Sequence, residues 1–478
     1  MKKIYLFLFI TFLCTDCSDD FINLEPQSTV IIDNLYTTDN DFNNAVVGVY
    51  AVLQTQFTQM YIFGDIRADD AEVHVIKNNN HSESDLFIMN SINGLINSTW
   101  QNFYNIIFRA NMVLDRIEAA DPSVVTNKNR YIAEAKFLRA FAYFNLVRIY
   151  GDVPLVTLPI SSVEALETPR SGTDAVYQLI ISDIASAEPD LPTEYSGSSV
   201  GRVTRGAAKS ILGKIYLDRH DYVNAESKLQ EVTTMGYKLL DNYNDLFNYS
   251  LDEHHSEYIF DVEYAAGQNV ANSLTNDLLP NSAAFEAFYG IAGIGGETLN
   301  PTEALRSLFE ENDTRKDVTV ATFGGWINGD GEFVAFPPAT GRSWTKKYIA
   351  PVAVSGQSPC NWKVTRYGDV VLMYAEALNE NGKTSEALTW LNMIRTRAGV
   401  STYSDLSQEE TREAIYTERR LELSFEGHRW FDLVRYGRAY DTMREKGMAQ
   451  YMTLFPVPWS QIQVVNDQAI FWQNEGYN

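Results

Sequence analysis

Apolar residues in this chain recur mostly at helical spacing. Thr38 can cap a helix with Asp39 and Asp41 in its first turn, and Phe42, Ala45, Val46, Val49, Tyr50 and Leu53 then fall on one face. Between 60 and 96 the period is lost in a stretch rich in Asn, Asp and Ser, including Asn78-Asn79-Asn80, which reads as a long excursion. Trp100, Phe103, Tyr104, Ile107, Asn111, Leu114 and Ile117 restore helical spacing. Tyr131 to Tyr150 predicts another helix, closed by Gly151-Asp152-Val153-Pro154, and Thr173 to Ala187 a further one, stopped by Pro189 and Pro192.

Two later segments carry a repeat. Leu212, Gly213, Tyr216, Ala225 and Leu229 match tetratricopeptide spacing. Gly213 and Ala225 would let two antiparallel helices approach, with Tyr216 and Leu229 in the seam, although Lys209 sits where an aromatic is usual. Tyr374, Ala375, Leu378, Ala387, Leu391 and Ile394 repeat the pattern around a turn at Asn381-Gly382. Helices 131–150 and 173–187 make a possible third pair with a stretched loop. So few clean repeats cannot stand as a free array, so they should scaffold something larger. From 238 to 365 the chain is irregular. A strand is expected at Glu257 to Glu263 and a helix at Pro301 to Glu311, with glycine-rich loops at Gly290 to Gly296 and Phe323 to Trp326. Irregular stretches of this length are often functional.

The start of the chain adds an address. Lys2 and Lys3 precede a run from Ile4 to Leu13 in which only Thr11 is polar, the layout of a secretory signal. It is too short to span a bilayer, which takes roughly 20 apolar residues. Cys14 and Cys17 follow directly, then Ser18-Asp19-Asp20. A cysteine at this boundary suggests the bacterial lipoprotein route, with residues 1–16 removed, Cys17 lipidated and 17–36 a leash. Cys14, Thr15 and Asp16 occupy places usually held by aliphatic and small residues, so Cys14 stays open as the alternative. Acyl chains contribute ~0.8 kcal/mol per buried CH2, and two or more hold stably.

A formal charge of -24 argues against nucleic acid, which needs basic patches. Beyond the two N-terminal cysteines only Cys360 remains, so the mature body has no internal disulfide framework. Aromatic residues make up 13% of the chain, enough to pack a core and still line a ligand face.

The candidate chemistry is weak beside its structural alternatives. ERRLELSFEGHRWFDLVR, from Glu418 to Arg435, could set Glu426 or Asp432 beside His428 as acid and base. Its matched acids and arginines read better as an ion-paired helix pair. Gly197 to Gly201 fits G-x-S-x-G around Ser199, but no apolar strand precedes it. His254-His255, with Glu253 and Glu257, lacks H-E-x-x-H spacing, and no metal or cofactor is expected. Asp69 and Asp70 are possible hydrolase acids, but neighbours on a strand point to opposite sides. The better lead is the loop aromatics Tyr61, Phe288, Tyr289, Trp326 and Trp344, since sugar C–H faces stack on rings while amides and carboxylates take the hydroxyls.

The motifs then add up to a family. EAKFLRAFAYFNLVRIYGDVPL spans 134–155, TRYGDVVLMYAEALNENG begins at Thr365, and IRTRAGV, ERRLELSFEGHRWFDLVRYG, FPVPWSQIQVVN and QNEGY follow in order. With CSDDFINLEPQ behind the signal, this set resembles the SusD/RagB family of Bacteroidetes surface lipoproteins over nearly the whole chain. The resemblance implies an all-α fold of tetratricopeptide-like helix pairs in a right-handed superhelical scaffold, with an irregular ligand-facing half containing short strands. It implies one domain over 37–478, with helical parts at 37–237 and 365–478 and the ligand-facing part at 238–364. It implies a non-enzymatic glycan binder at the outer membrane that closes as a lid over a SusC-type TonB-dependent barrel and delivers oligosaccharide to it. A peptide ligand, as some relatives take, remains an alternative, and a secreted glycoside hydrolase or a pure assembly scaffold are others. The family's ligand face maps to about 61–99 and 265–345. There we expect Tyr61, Arg67, Asn78, Asn79, Tyr289, Trp326 and Trp344 to bind.

Overall fold

The computed structural model describes residues 36–73, 79–251, 253–267, 270–321, 325–327, 333–335 and 343–477, with backbone alone at 79, 284, 325–327 and 333–335. Its frame is a series of helices: α1 (Asp39–Phe57), α2 (Gly94–Glu118), α3 (Lys128–Tyr150), α4 (Thr173–Ala187), α5 (Arg205–Asp218), α6 (Tyr222–Thr233), α7 (Tyr367–Glu380), α8 (Thr384–Ala398), α9 (Gln408–Glu422) and α10 (Arg429–Arg435). Neighbours in the chain pack as neighbours in space: α2 on α3, α3 on α4, α5 on α6, and α7 on α8. Helix α6 also packs on α7, so the stack continues across the excursion between them. The fold is mostly helical, as expected.

Local chemistry explains these elements. Thr38 and Asp41 close a capping box at the start of α1: the Thr38 hydroxyl accepts from Asp41 N at 3.2 Å, and the Asp41 carboxylate accepts from Thr38 N at 2.8 Å. Phe42, Val46, Val49 and Leu53 are buried along the face the spacing marks. In the α5–α6 pair, a Cβ on Gly213 would lie 2.6 Å from the Leu229 side chain, so only glycine admits this approach. Lys209, which breaks the repeat pattern, pairs with Glu188 at 2.5 Å and with Glu231. A cation between two acids replaces the usual aromatic there.

Helix α3 is buried on nearly every side, polar residues included. Its Arg139 pairs with Asp183 of α4 at 2.8 Å, which supports the third helix pair with its long loop. Among the described residues the strands are short and antiparallel. β1 (Tyr258–Val262) pairs with β2 (Trp362–Arg366), and β2 runs directly into α7. Ala71–Glu72 pairs with Asn300–Pro301, joining the early excursion to the irregular part.

Some expectations are corrected. The helix expected from Pro301 to Glu311 forms only at Glu303–Arg306, because Asn300 and Pro301 are taken by the strand pair. The 60–96 excursion contains a π-turn at Ile62–Ile66 and a helix at Asn79–Asp85. Asp69 and Asp70 lie in a turn rather than a strand and converge on the same arginines. The alternating-strand argument therefore used the wrong geometry for them.

Candidate functional site

The acid- and arginine-rich segment after Glu418 builds a buried ion network. Arg366, at the end of β2, donates from Nε to Glu426 at 2.8 Å, and from one terminal nitrogen to Glu257 at 2.7 Å and Glu422 at 2.6 Å. Arg397 pairs with Glu257 and Glu422, Arg315 with Asp313 and Glu418, Arg395 with Glu418, and Lys347 with Glu426. Burial opposes charge on Glu426, but Arg366 and Lys347 outweigh it and hold the carboxyl down at about 2. Burial and Lys214 push His428 down to about 3. A locked carboxylate and a neutral imidazole do not make an acid/base pair near neutral pH, so the ion-paired reading stands.

The glycine in this motif has its own reason. Gly427 adopts φ +79°, and a Cβ there would lie 2.8 Å from the Trp362 ring. A Cβ on Gly64 would lie 2.4 Å from the Gly427 carbonyl oxygen. Asp65 carboxylate oxygens accept from Gly427 N at 3.1 and 3.0 Å. The π-turn of the early excursion is thus fastened onto the C-terminal motif.

That fastening relocates two expected ligand residues. Tyr61 is 2% exposed, with its hydroxyl 2.8 Å from His81 Nε2. Arg67 is 1% exposed, its guanidinium 3.9 Å from the Phe87 ring centroid and 4.7 Å from that of Phe455. It donates to the carbonyls of Ser84 and Met452 at 3.3 and 3.2 Å. Both side chains are buried within the fold and hold the excursion in place. Asn78 lies outside the described residues, and Asn79 opens the short helix Asn79–Asp85.

The remaining aromatics converge. Phe285 and Tyr289 sit one turn apart on the helix Ala283–Tyr289, with rings stacked at 6.4 Å and 21°. Trp344 meets Phe285 edge-on at 5.0 Å and lies 5.8 Å from Tyr289. At 3% exposed, Trp344 backs the cluster. The open surface comes from Phe288, 38% exposed and edge-on to Tyr289 at 4.9 Å, and from the half-buried Tyr289 itself. Burial, with Asp317 nearby, raises the Tyr289 hydroxyl, which therefore stays a protonated donor. Trp344 pairs with Ala321, and between them in sequence Gly325–Ile327 pairs with Phe333–Ala335, which puts Trp326 on a strand.

The loop of glycines closes one side. Backbone oxygens of Pro280 and Asp277 would lie 2.2 and 2.1 Å from a Cβ at Gly295 and Gly296, so the loop packs backbone to backbone. Gly295 N donates to Glu286 at 2.9 Å, placing a carboxylate one turn from the rings. Sequence reasoning named Phe288 and Tyr289 but missed Phe285, whose spacing of four from Tyr289 on a short helix was the available signal.

The other motifs carry structure. Asp69 pairs with Arg429 at 2.7 Å and Arg420 at 2.8 Å, and Asp70 with Arg420 at 2.5 Å. Ser199 closes a single 3-10 turn with no strand before it. His255 accepts from Glu257 N at 3.2 Å, and His254 bonds to Glu263 at 2.7 Å. Among the described residues no helix is long and apolar enough to cross a membrane.

The chain is a stacked helical frame carrying an irregular part with an aromatic cluster. The chain belongs to the SusD family: that family's model matches residues 227–474, and a second, described as starch-binding associating with outer membrane, matches 20–217. This is a family of binding proteins, not catalysts. The chain is 26% identical to SusD-like protein P25 of Formosa agariphila, covering 97% of each. It is 24% identical to the starch-binding protein SusD of Bacteroides thetaiotaomicron, covering 78% of this chain and 76% of that one. A solved laminarin-binding SusD-like protein superposes with a TM-score of 0.77 at 29% identity, covering 92% of this chain and 100% of that one.

Proposed function

We propose that this chain is a lipid-anchored glycan-binding protein of the outer cell surface, held by Cys17. It captures oligosaccharides and delivers them to a partner TonB-dependent barrel of the SusC type, over which it closes as a lid. The observation that carries this reading is the aromatic face in which Phe288 lies open against the half-buried Tyr289, backed by Phe285 and Trp344, with Glu286 on the same helix. Rings take the C–H faces of a sugar, and the carboxylate takes its hydroxyls. Trp326, on its strand, and the Asn78-Asn79 pair complete the proposed contact set. Shallow polar sites give modest affinity, which suits a protein that must hand its ligand on. Closure of the lid is a hinge movement of the whole body. The SusD-family match, the outer-membrane description of the second model and the laminarin-binding relative all favour this reading. Hydrolysis is disfavoured because the paired acids Asp69 and Asp70 are occupied by Arg420 and Arg429.

Calorimetric titration of the mature chain with laminarihexaose, maltoheptaose and a mixed peptide pool tests it, with a parallel assay for new reducing ends. Binding of a glycan without turnover is the expected result. Release of reducing ends, or binding of peptides alone, overturns the reading. Recovery of a barrel with the tagged chain from outer membranes tests the partner.

A further inference from the structure

Three segments meet around a cavity of about 620 Å3 that shares no lining residue with the aromatic face. They are residues 193–204 between α4 and α5, 235–237 after α6, and 254–259 leading into β1. Small-molecule sites span roughly 300–1,000 Å3, so the space admits a ligand. Tyr195, Tyr237 and Tyr258, all half-buried, bring rings to its walls, and Thr193, Glu194 and Ser256 stand exposed around it.

The walls are tied together. Arg202 donates to Asn43 at 2.7 Å and to Glu134 at 3.4 Å, and Val203 N donates to the Tyr50 hydroxyl at 3.0 Å, which fixes the first segment to α1 and α3. Lys238 N donates to the Ser256 carbonyl at 2.9 Å, and Ser256 Oγ to the Lys238 carbonyl at 3.2 Å, joining the second segment to the third. Glu263 joins the third to the first. It bonds His254 at 2.7 Å and accepts from Tyr258 at 3.2 Å, and a Cβ on Gly201, at φ +91°, would lie 2.7 Å from its carboxylate carbon. A cavity between tied walls is preorganised for a guest.

Its polar groups define the guest. Arg202 is engaged by Glu134 and Asn43, and His254 by Glu263. His255 is neutral, because burial and then Lys363 push it down to about 3. Among the described lining residues no cation is therefore left to hold an anion. His255 Nδ1 accepts from Glu257 N at 3.2 Å, so the neutral ring carries its proton on Nε2. That Nε2 is buried and has no hydrogen-bond partner among the described residues. The cavity thus offers ring faces, an exposed carboxylate and a donor that lacks an acceptor. A sugar answers all of these, since its C–H faces stack on rings and each hydroxyl both donates and accepts.

We propose that this cavity is a second saccharide site, which takes a neutral mono- or disaccharide and is separate from the Phe288 face. The proposal stands whether the Phe288 face binds glycan or peptide, because the two have no lining residue in common.

Imidazole NMR of the mature chain tests it, with laminaribiose, maltose and glucuronic acid as probes. The His255 ring signals, assigned by their loss in His255→Gln, should move with at least one of the neutral disaccharides and stay still with glucuronate. They should move equally in Phe288→Ala. Thr193→Trp puts a bulky ring at an exposed lining position and should remove the shift at an unchanged unfolding temperature. The probe ranking and the Phe288→Ala comparison stand without that variant if it fails to fold. No shift with either disaccharide, a shift lost in Phe288→Ala or kept in folded Thr193→Trp, or a larger shift with glucuronate overturns the proposal.

Discussion

Replacing Arg366 with Met tests the claim that the C-terminal motif is a structural ion network. In the buried cluster Arg315, Lys347, Arg366, Arg395 and Arg397 balance Glu257, Asp313, Glu418, Glu422 and Glu426. Arg366→Met leaves one buried negative charge uncompensated and removes bonds to Glu257, Glu422 and Glu426. It also removes the 2.8 Å bond from Arg366 to the Glu422 carbonyl, which keeps the Tyr243 hydroxyl as a donor at 2.7 Å. Breaking one side of a buried pair costs about 3–5 kcal/mol. Arg397, Arg315 and Lys347 remain beside the same carboxylates, so the lower end, about 3 kcal/mol, is expected near pH 7. The pH dependence is the sharper part. In the native protein Glu426 is held at about 2 by Arg366 and Lys347 against burial. Its stabilising contribution is therefore present above the unfolded value of about 4.3 and is lost as pH falls towards 2. In the variant only Lys347 remains on Glu426, so less of that contribution is there to lose. The deficit should therefore narrow as pH falls from about 4.3 towards 2. Urea unfolding of both proteins at several pH values measures it, provided the slopes agree. A loss under about 1 kcal/mol at pH 7, or a deficit that grows on acidification, would refute the network as drawn.

Phe288→Ala should weaken glycan binding about fivefold, near 1 kcal/mol of lost ring burial, with no change in unfolding midpoint; unchanged affinity by calorimetry removes Phe288 from the site. Gly64→Ala should destabilise by about 1–3 kcal/mol or more, because its Cβ meets backbone that cannot step aside; a neutral result in thermal unfolding would contradict the fastening of Gly64 on Gly427. His255 is pushed down to about 3 by burial and Lys363, and His428 to about 3 by burial and Lys214. Both are neutral when folded, so their contribution is complete above the unfolded value of about 6.5 and falls as pH drops towards 3; the unfolding temperature should decline already between pH 6.5 and 5, and His428→Gln should flatten that slope. Tyr61→Phe should cost about 1 kcal/mol for its bond to His81 and leave glycan affinity intact; lost affinity at unchanged stability would return Tyr61 to the binding face.

The helical frame was legible because amphipathic period is a local signal, repeated every turn. The cap at Thr38 and the close approach at Gly213 could be read from a few residues and lie where the spacing put them. Tyr61 and Arg67 misled for the same reason. Within a segment without period, an aromatic and a cation look like ligand-facing residues, and nothing nearby marks them as buried. What buries them is tertiary: His81 and Phe87 fold back from later in the excursion, and Phe455 comes from the far end of the chain. No spacing rule registers a contact between segments so far apart.

The same contacts set the ion-paired segment from Glu418 to Arg435 apart from the open aromatic cluster. A buried charge network tolerates few substitutions, since each change strands a partner. An open ring such as Phe288 has no buried charge partner to strand. The two are joined mechanically. Gly427 holds the π-turn, the π-turn leads to Ala71–Glu72, and that strand pairs with Asn300–Pro301, just beyond the glycine-rich loop beside the rings. The frame thus fixes where the face lies while leaving its surface residues free to differ. Substitutions in the network should therefore lower the amount of folded protein, and substitutions on the rings should change what the folded protein holds.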